Sequence, residues 1–205
     1  MVAFFLYIRF MNFLAHFHLG KSTDEDILGN FIGDFVKGSD YKQYNYKVQR
    51  GILMHRCIDS FTDSHFIVLE AKHKFSHLYG HFTGVVMDVF YDYFLSNNWN
   101  TFSETSLPDF IEHCYDVLNK YQDDMPFSAQ VAYRHMIKND WLNRYNNLIG
   151  LQKTFLGINQ YVKRETGMEN AIQTLNENKA FLNQNFLSFY PLVQDRVKLF
   201  MNEYK

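Results

Sequence analysis

An all-α protein, folded as a single-domain helical bundle, is what this sequence predicts, and three observations carry the prediction. Proline is limited to 3 of 205 residues, so few positions forbid a helix. Long stretches repeat apolar residues at three- and four-residue spacing, the period that turns one helix face toward a core. No stretch shows the alternation of a half-buried strand. With 47% hydrophobic residues, including 21 Phe and 14 Tyr, the chain can bury a sizeable core. No linker, charge block or repeat divides residues 1–205.

The elements follow in order. Met1 to Leu19 is strongly apolar, but Arg9, Asn12, His16 and His18 interrupt it, and no basic leader or small-residue cleavage motif accompanies it. A spanning helix needs ~20 predominantly apolar residues with few charges, so a buried first segment in a protein without a membrane partner is expected. Residues 1–10 are expected to be an N-terminal extension ahead of Met11. Ser22-Thr23-Asp24-Glu25 supplies an N-cap and an acidic first turn for a helix through Val36, closed by Gly38. Residues 45–63 and 79–97 form the next two, the second ending at Ser96-Asn97-Asn98; between them His65, His73, His77 and His81 are expected mostly on a surface helix. Pro108 suits the first turn of a helix over 109–121. Ala129–Ile137 and a short helix capped by Asp140 come next, then 150–164 and 169–203. Ile172, Leu175, Leu182, Phe186, Phe189 and Val193 keep one stripe through the last, which Pro191 should kink or divide.

The formal charge of -2 leaves no global footprint for nucleic acid, and no nucleic-acid partner is expected. Cys57 and Cys114 lie far apart without metal or redox spacing, as reduced side chains of a cytoplasmic protein would.

The chemistry is concentrated where apolar segments carry charge. Asp88 and Asp92 sit inside Val85–Leu95, Asp34 inside Phe31–Val36, and His55, Asp59 and Asp63 recur at four-residue steps in 52–63. Burying an unpaired carboxylate costs several kcal/mol unless a counter-charge or metal meets it. On helices, His55 with Asp59 and Asp88 with Asp92 each present two donors on one face. One imidazole among several carboxylates suits Mn²⁺, Mg²⁺ or Fe²⁺. Arg56, turned about 100° from its neighbour, is placed to reach a phosphate or pair with Asp63. Metal-assisted phosphoester hydrolysis follows. His16, His18 and Asn12 either line this site or satisfy backbone groups. Glu70 and His73 match Glu-x-x-His, but no second copy exists for a di-iron bundle.

Met11–Leu19 (MNFLAHFHL), Gly29–Gly38 (GNFIGDFVKG), Gly51–His65 (GILMHRCIDSFTDSH) and Asp88–Leu95 followed by Asn98-Trp99 resemble the acyl carrier protein phosphodiesterase family. The resemblance implies an all-helical fold distantly related to HD phosphohydrolases and a divalent-metal, typically Mn²⁺-dependent, enzyme. Its reaction removes 4′-phosphopantetheine from the serine of holo acyl carrier protein, in fatty acid and lipid metabolism. Carried onto matching positions, Asp34, His55, Asp59, Asp88 and Asp92 become metal-ligand candidates. Asp34, His55, Asp59, Arg56 and Asp63 form the expected catalytic set, and Asn12, His16, His18 and Arg56 the expected substrate contacts. The chain departs from the family in carrying Phe66 where Pro is usual, and in the ten residues before Met11. It also lacks an adjacent His-Asp dipeptide. The carrier partner is acidic, so a local basic surface is expected: Arg134, Lys138 and Arg144, or Lys153, Lys163 and Arg164. Two alternatives stand beside this reading: a phosphohydrolase acting on a nucleotide or other small phosphoester, and a non-enzymatic helical binding module whose polar cluster is a structural ion network.

Overall fold

A computed structural model of the chain describes residues 13–162 and 165–204. Within them every regular element is helical, and one continuous core joins nearly all the helices. Asn12, the expected extension over 1–10, and the cations Lys163 and Arg164 lie outside the described residues. Among the described residues, no helix is long and apolar enough to cross a membrane.

Three helices build the floor of the molecule: α1 (Phe13–Leu19), α2 (Asp24–Ile32) and α3 (Tyr46–Ser64). Helix α2 starts as its sequence requires: Thr23 Oγ1 accepts the Asp26 N–H at 3.2 Å and donates to Asp26 Oδ2 at 2.9 Å. It ends at Ile32, short of Val36, and Gly38 takes positive φ in the following loop. Asp26 is fully buried, and Arg50 of α3 grips it through Nε at 2.8 Å and Nη2 at 2.6 Å. This bidentate geometry is what offsets the desolvation of both ions. Nearby, α2 and α3 cross with almost no space between backbones. A Cβ on Gly29 would lie 2.5 Å from the Val48 carbonyl oxygen, and one on Gly51 2.6 Å from that of Asp26.

A single residue, His65, separates α3 from α4 (Phe66–Tyr79), its Nδ1 accepting the Ile67 N–H at 3.3 Å. Phe66 therefore occupies the first helical position, where a Pro would also be at home; the departure leaves the turn intact. Histidines 73 and 77 are exposed on α4, as expected. The helix expected over 79–97 begins later: Gly80, with φ of 51°, ends α4, a tight turn over Gly80–Phe82 follows, and α5 spans Thr83–Asn97.

Smaller helices close one side: α6 (Trp99–Phe102), α7 (Leu107–Lys120), α8 (Phe127–Lys138), α9 (Trp141–Arg144) and α10 (Leu148–Tyr161). Asp140 precedes α9 in a left-handed conformation but bonds Asn143 Nδ2 and the Tyr115 hydroxyl rather than a backbone N–H. The C-terminal stripe is two helices, α11 (Ala171–Glu177) and α12 (Lys179–Glu203). The division falls at Asn178, and α12 runs through Pro191 without ending. Pro191 is exposed, so the carbonyl one turn earlier, which loses its donor, is within reach of water.

Candidate metal centre

Three elements deliver polar side chains to one place. His16 comes from α1, His55 and Asp59 from successive turns of α3, and Asp34 from the turn after α2. Asp59 sits between the two histidines: His16 Nε2 is 3.1 Å from its Oδ1, and His55 Nε2 is 3.2 Å from its Oδ2. Asp34 Oδ2 stands 3.4 Å from the same His55 nitrogen. The imidazoles stack with centroids 4.2 Å apart. His16, His55 and Asp59 each offer a ligand atom, all within 4.8 Å of one another.

Local packing explains this convergence. Gly33 leaves room for the His55 ring, since a Cβ there would lie 2.4 Å from its Cγ. The close α2–α3 crossing draws that ring inward. Asn30 Oδ1 faces His16 Nδ1 at 3.3 Å, while Asn30 Nδ2 donates to the Asp26 carbonyl at 3.2 Å. His16 is thereby turned so that Nε2 points at Asp59.

Opposite charges are closely coupled in this group. His16 Nε2 and both ring nitrogens of His55 are buried and, among the described residues, lack a hydrogen bond of acceptable geometry. Carboxylates stand close to both Nε2 atoms but out of line with them. Burial works against charging His55, yet Asp34 and Asp59 outweigh it and raise its pKa to about 9. Burial likewise opposes ionisation of Asp59, but His16 and His55 hold it well below the usual carboxylate range. Asp88, from α5, is pushed up to about 7 by burial and by the charges of Asp59, Asp63 and Asp34, with Lys72 opposing. A tight group of two imidazoles and one carboxylate, with further carboxylates around it, is a donor set that fits a divalent ion.

This group opens into a cavity of about 570 Å³ whose wall includes Asp34, His55, Arg56, Asp59, Asp63 and Asp88. That lies within the ~300–1,000 Å³ range of small-ligand clefts. Among the residues of the wall not singled out in the sequence are the cations Lys37 and Lys72. His81, expected on a surface helix, also lines it. Lysine carries no spacing signature, so only the fold reveals these two cations.

Several expected site residues stand elsewhere or do something else. Asp92 does not face the cavity with Asp88. Its carboxylate is buried at the start of α1, accepting the Leu14 N–H at 3.1 Å and the Ala15 N–H at 2.9 Å. Four residues turn a helix by 400°, yet one turn along the axis is enough to change neighbours. Burial drives the Asp92 pKa well above its ordinary value, against those two N–H bonds. His18 is also spent in the core: Nδ1 meets the Tyr190 hydroxyl at 2.7 Å, and Nε2 lies 3.1 Å from the Phe102 carbonyl. Burial, then Lys21, lowers its pKa to about 4, which keeps it neutral. Arg56 does not pair with Asp63. Its Nη1 and Nη2 donate to the carbonyls of Gly38 and Val36 at 2.9 and 2.8 Å, and its guanidinium lies over the Tyr41 ring. Arg56 thus pins the loop that forms one cavity wall. Asp63 is highly exposed and takes Lys72 Nζ at 2.7 Å. His16, expected as a substrate contact, belongs to the tight group itself.

Comparison with known proteins identifies the family. The profile of the acyl carrier protein phosphodiesterase family matches residues 11–193. An acyl carrier protein phosphodiesterase of Photorhabdus laumondii is 33% identical over 189 residues, 92% of this chain and 96% of the relative. That of Yersinia enterocolitica is 32% identical over 189 residues, 92% of this chain and 98% of its own. No solved structure matches. Both length and order of the match place the chain, on 11–193 at least, within one group: it belongs to the acyl carrier protein phosphodiesterase family.

Proposed function

We propose that this protein is a divalent-metal-dependent phosphodiesterase that hydrolyses the bond between 4′-phosphopantetheine and the serine of holo acyl carrier protein, leaving the apo carrier. The observation that carries the metal is the convergence of the buried His16 and His55 imidazoles with the half-exposed Asp59 carboxylate, each offering a ligand atom within 4.8 Å of the others. Those three residues would hold the ion, with Asp34 and Asp88 in the surrounding wall. Mn²⁺ suits the mixed nitrogen and oxygen donors, and Mg²⁺ or Fe²⁺ would fit the same types. A bound ion of this class supplies Lewis-acid polarisation of a phosphoryl oxygen and a bound water of lowered pKa.

The chain's own groups do the rest. Lys37 and Lys72 bring positive charge to the cavity for the anionic diester. Arg56 fixes the loop carrying Lys37 by holding the carbonyls on either side of it. Asn30 and Gly33 hold the two imidazoles in orientation. Cytoplasmic residence is part of this reading, supported by the two unpaired cysteines, Cys57 and Cys114.

The test is incubation of purified protein with holo carrier and Mn²⁺, with the carrier weighed by mass spectrometry. Loss of the phosphopantetheine mass, abolished by chelator and restored by Mn²⁺, is expected. Metal analysis of His16→Ala and Asp59→Ala proteins gives a readout independent of turnover. An unchanged carrier mass, under conditions where a control enzyme cleaves it, would sink the substrate assignment. Full turnover by metal-free protein would sink the metal.

A further inference from the structure

We infer that the outer face of α8–α10 is the surface on which the carrier protein docks, an inference that rests on the function proposed above and names where its partner is held. Charge is distributed unevenly along this chain. Residues 127–162 contain four cations, Arg134, Lys138, Arg144 and Lys153, and one carboxylate, Asp140. The rest of the chain, with 16 cations and 21 carboxylates, is acidic. Asp140 is already engaged by Asn143 and Tyr115. None of the four cations has a carboxylate partner among the described ion pairs; Arg134 and Arg144 touch only the side-chain amides of Gln130 and Asn139.

The same face carries apolar groups where a solvated helix would carry charge. Ile149, Gln152, Lys153, Leu156 and Gln160 are all exposed on α10 and recur at three- and four-residue steps, so they form one stripe. Ile149 is 69% exposed and Leu156 47%, and Ile137 beside Lys138 on α8 is 45% exposed. Exposed apolar residues interspersed with cations that have no carboxylate partner are complementary to an acidic protein face with an apolar centre.

The location fits a substrate whose scissile bond lies at the carrier's own surface. The Tyr145 carbonyl, just before α10, accepts from Ser96 near the end of α5, while Phe155 packs edge-on against Phe90 at 5.9 Å. These contacts tie the segment carrying α10 to α5, the helix that also supplies Gly84, Val85 and Asp88 to the cavity wall.

The test uses the full chain with Mn²⁺ and two exposed double variants, Lys138→Glu/Lys153→Glu and Ile149→Ser/Leu156→Ser. Each is assayed on holo carrier and on a small synthetic phosphodiester, with carrier binding followed by fluorescence anisotropy. The charge variant is expected to raise KM for the carrier about tenfold or more and flatten its salt dependence. The apolar variant raises KM at unchanged salt dependence, and both leave the rate on the small diester as it was. A wild type that cleaves carrier, with variants of unaltered KM, overturns the docking face and leaves the phosphodiesterase reading standing. A wild type that cleaves the small diester but neither binds nor cleaves carrier overturns both. Salt-sensitive binding of an oligonucleotide to this face, with carrier KM unmoved in the variants, assigns it to another polyanion and overturns the inference.

Discussion

Asp88→Asn is expected to stabilise the metal-free protein at alkaline pH while impairing turnover. Burial, then three neighbouring carboxylates, lifts the Asp88 pKa from 3.8 to about 7. The folded value lies above the unfolded one. Tight proton binding therefore favours the wild-type fold fully below about pH 4, and that contribution is lost as the pH rises through about 7. At about 1.4 kcal/mol per pKa unit, roughly 2.5 kcal/mol is lost between about pH 5 and pH 8. Water at the partly exposed carboxylate screens some of this, so about 1–2.5 kcal/mol is expected. Asparagine does not titrate, so the variant's stability relative to wild type should rise by that amount over the interval. Urea unfolding followed by circular dichroism, at both pH values in chelator, measures it. Saturating Mn²⁺ should cancel the variant's advantage, because an ion that binds only the folded state stabilises the wild type. Parallel pH profiles for the two proteins in chelator would refute the crowding of charge around Asp88. Undiminished Mn²⁺-dependent turnover by the variant would remove Asp88 from the centre.

Gly33→Ala places a methyl 2.4 Å from the His55 ring, and turnover is expected to fall by an order of magnitude or more through displacement of one imidazole; unchanged kinetics would show that the ring position is not critical. Asn30→Ala frees His16 Nδ1, and Mn²⁺ affinity, read by isothermal titration, should fall about 10–100-fold. Arg50→Met strands a fully buried Asp26 carboxylate and should cost about 3–5 kcal/mol in urea unfolding. Asp92→Ala leaves the Leu14 and Ala15 N–H groups unsatisfied and should cost about 2–3 kcal/mol, with Asp92→Asn in between.

The all-helical architecture and the His55–Asp59 partnership were legible because four-residue spacing fixes both a helix and which of its side chains share a face. Asp34 was legible as a carboxylate in an apolar segment. Spacing also held information that only the fold put to use: His16 and His18 are two residues apart, about 200° around a helix, so only one could face the site. That one is His16. What spacing within one helix does not contain is the identity of the neighbour at each turn. Asp88 meets the cavity and Asp92 meets α1, although their intervals are those of a ligand pair. The Asp26–Arg50 pair was missed for the same reason, joining residues of two helices. Thr23-x-x-Asp26 marks only the helix start, and Gly29 and Gly33 show their purpose only beside Gly51 and His55. Pro191 does not divide the last helix, which runs unbroken from Lys179 to Glu203.

Asp92 has a consequence for how the centre keeps its alignment. By gripping two backbone amides of α1 from α5, it acts as a datum peg: the height of His16, the next residue after the clamp, is set from within the core. The position of His16 opposite His55 and Asp59 is thereby referenced to α5 as well as to α3.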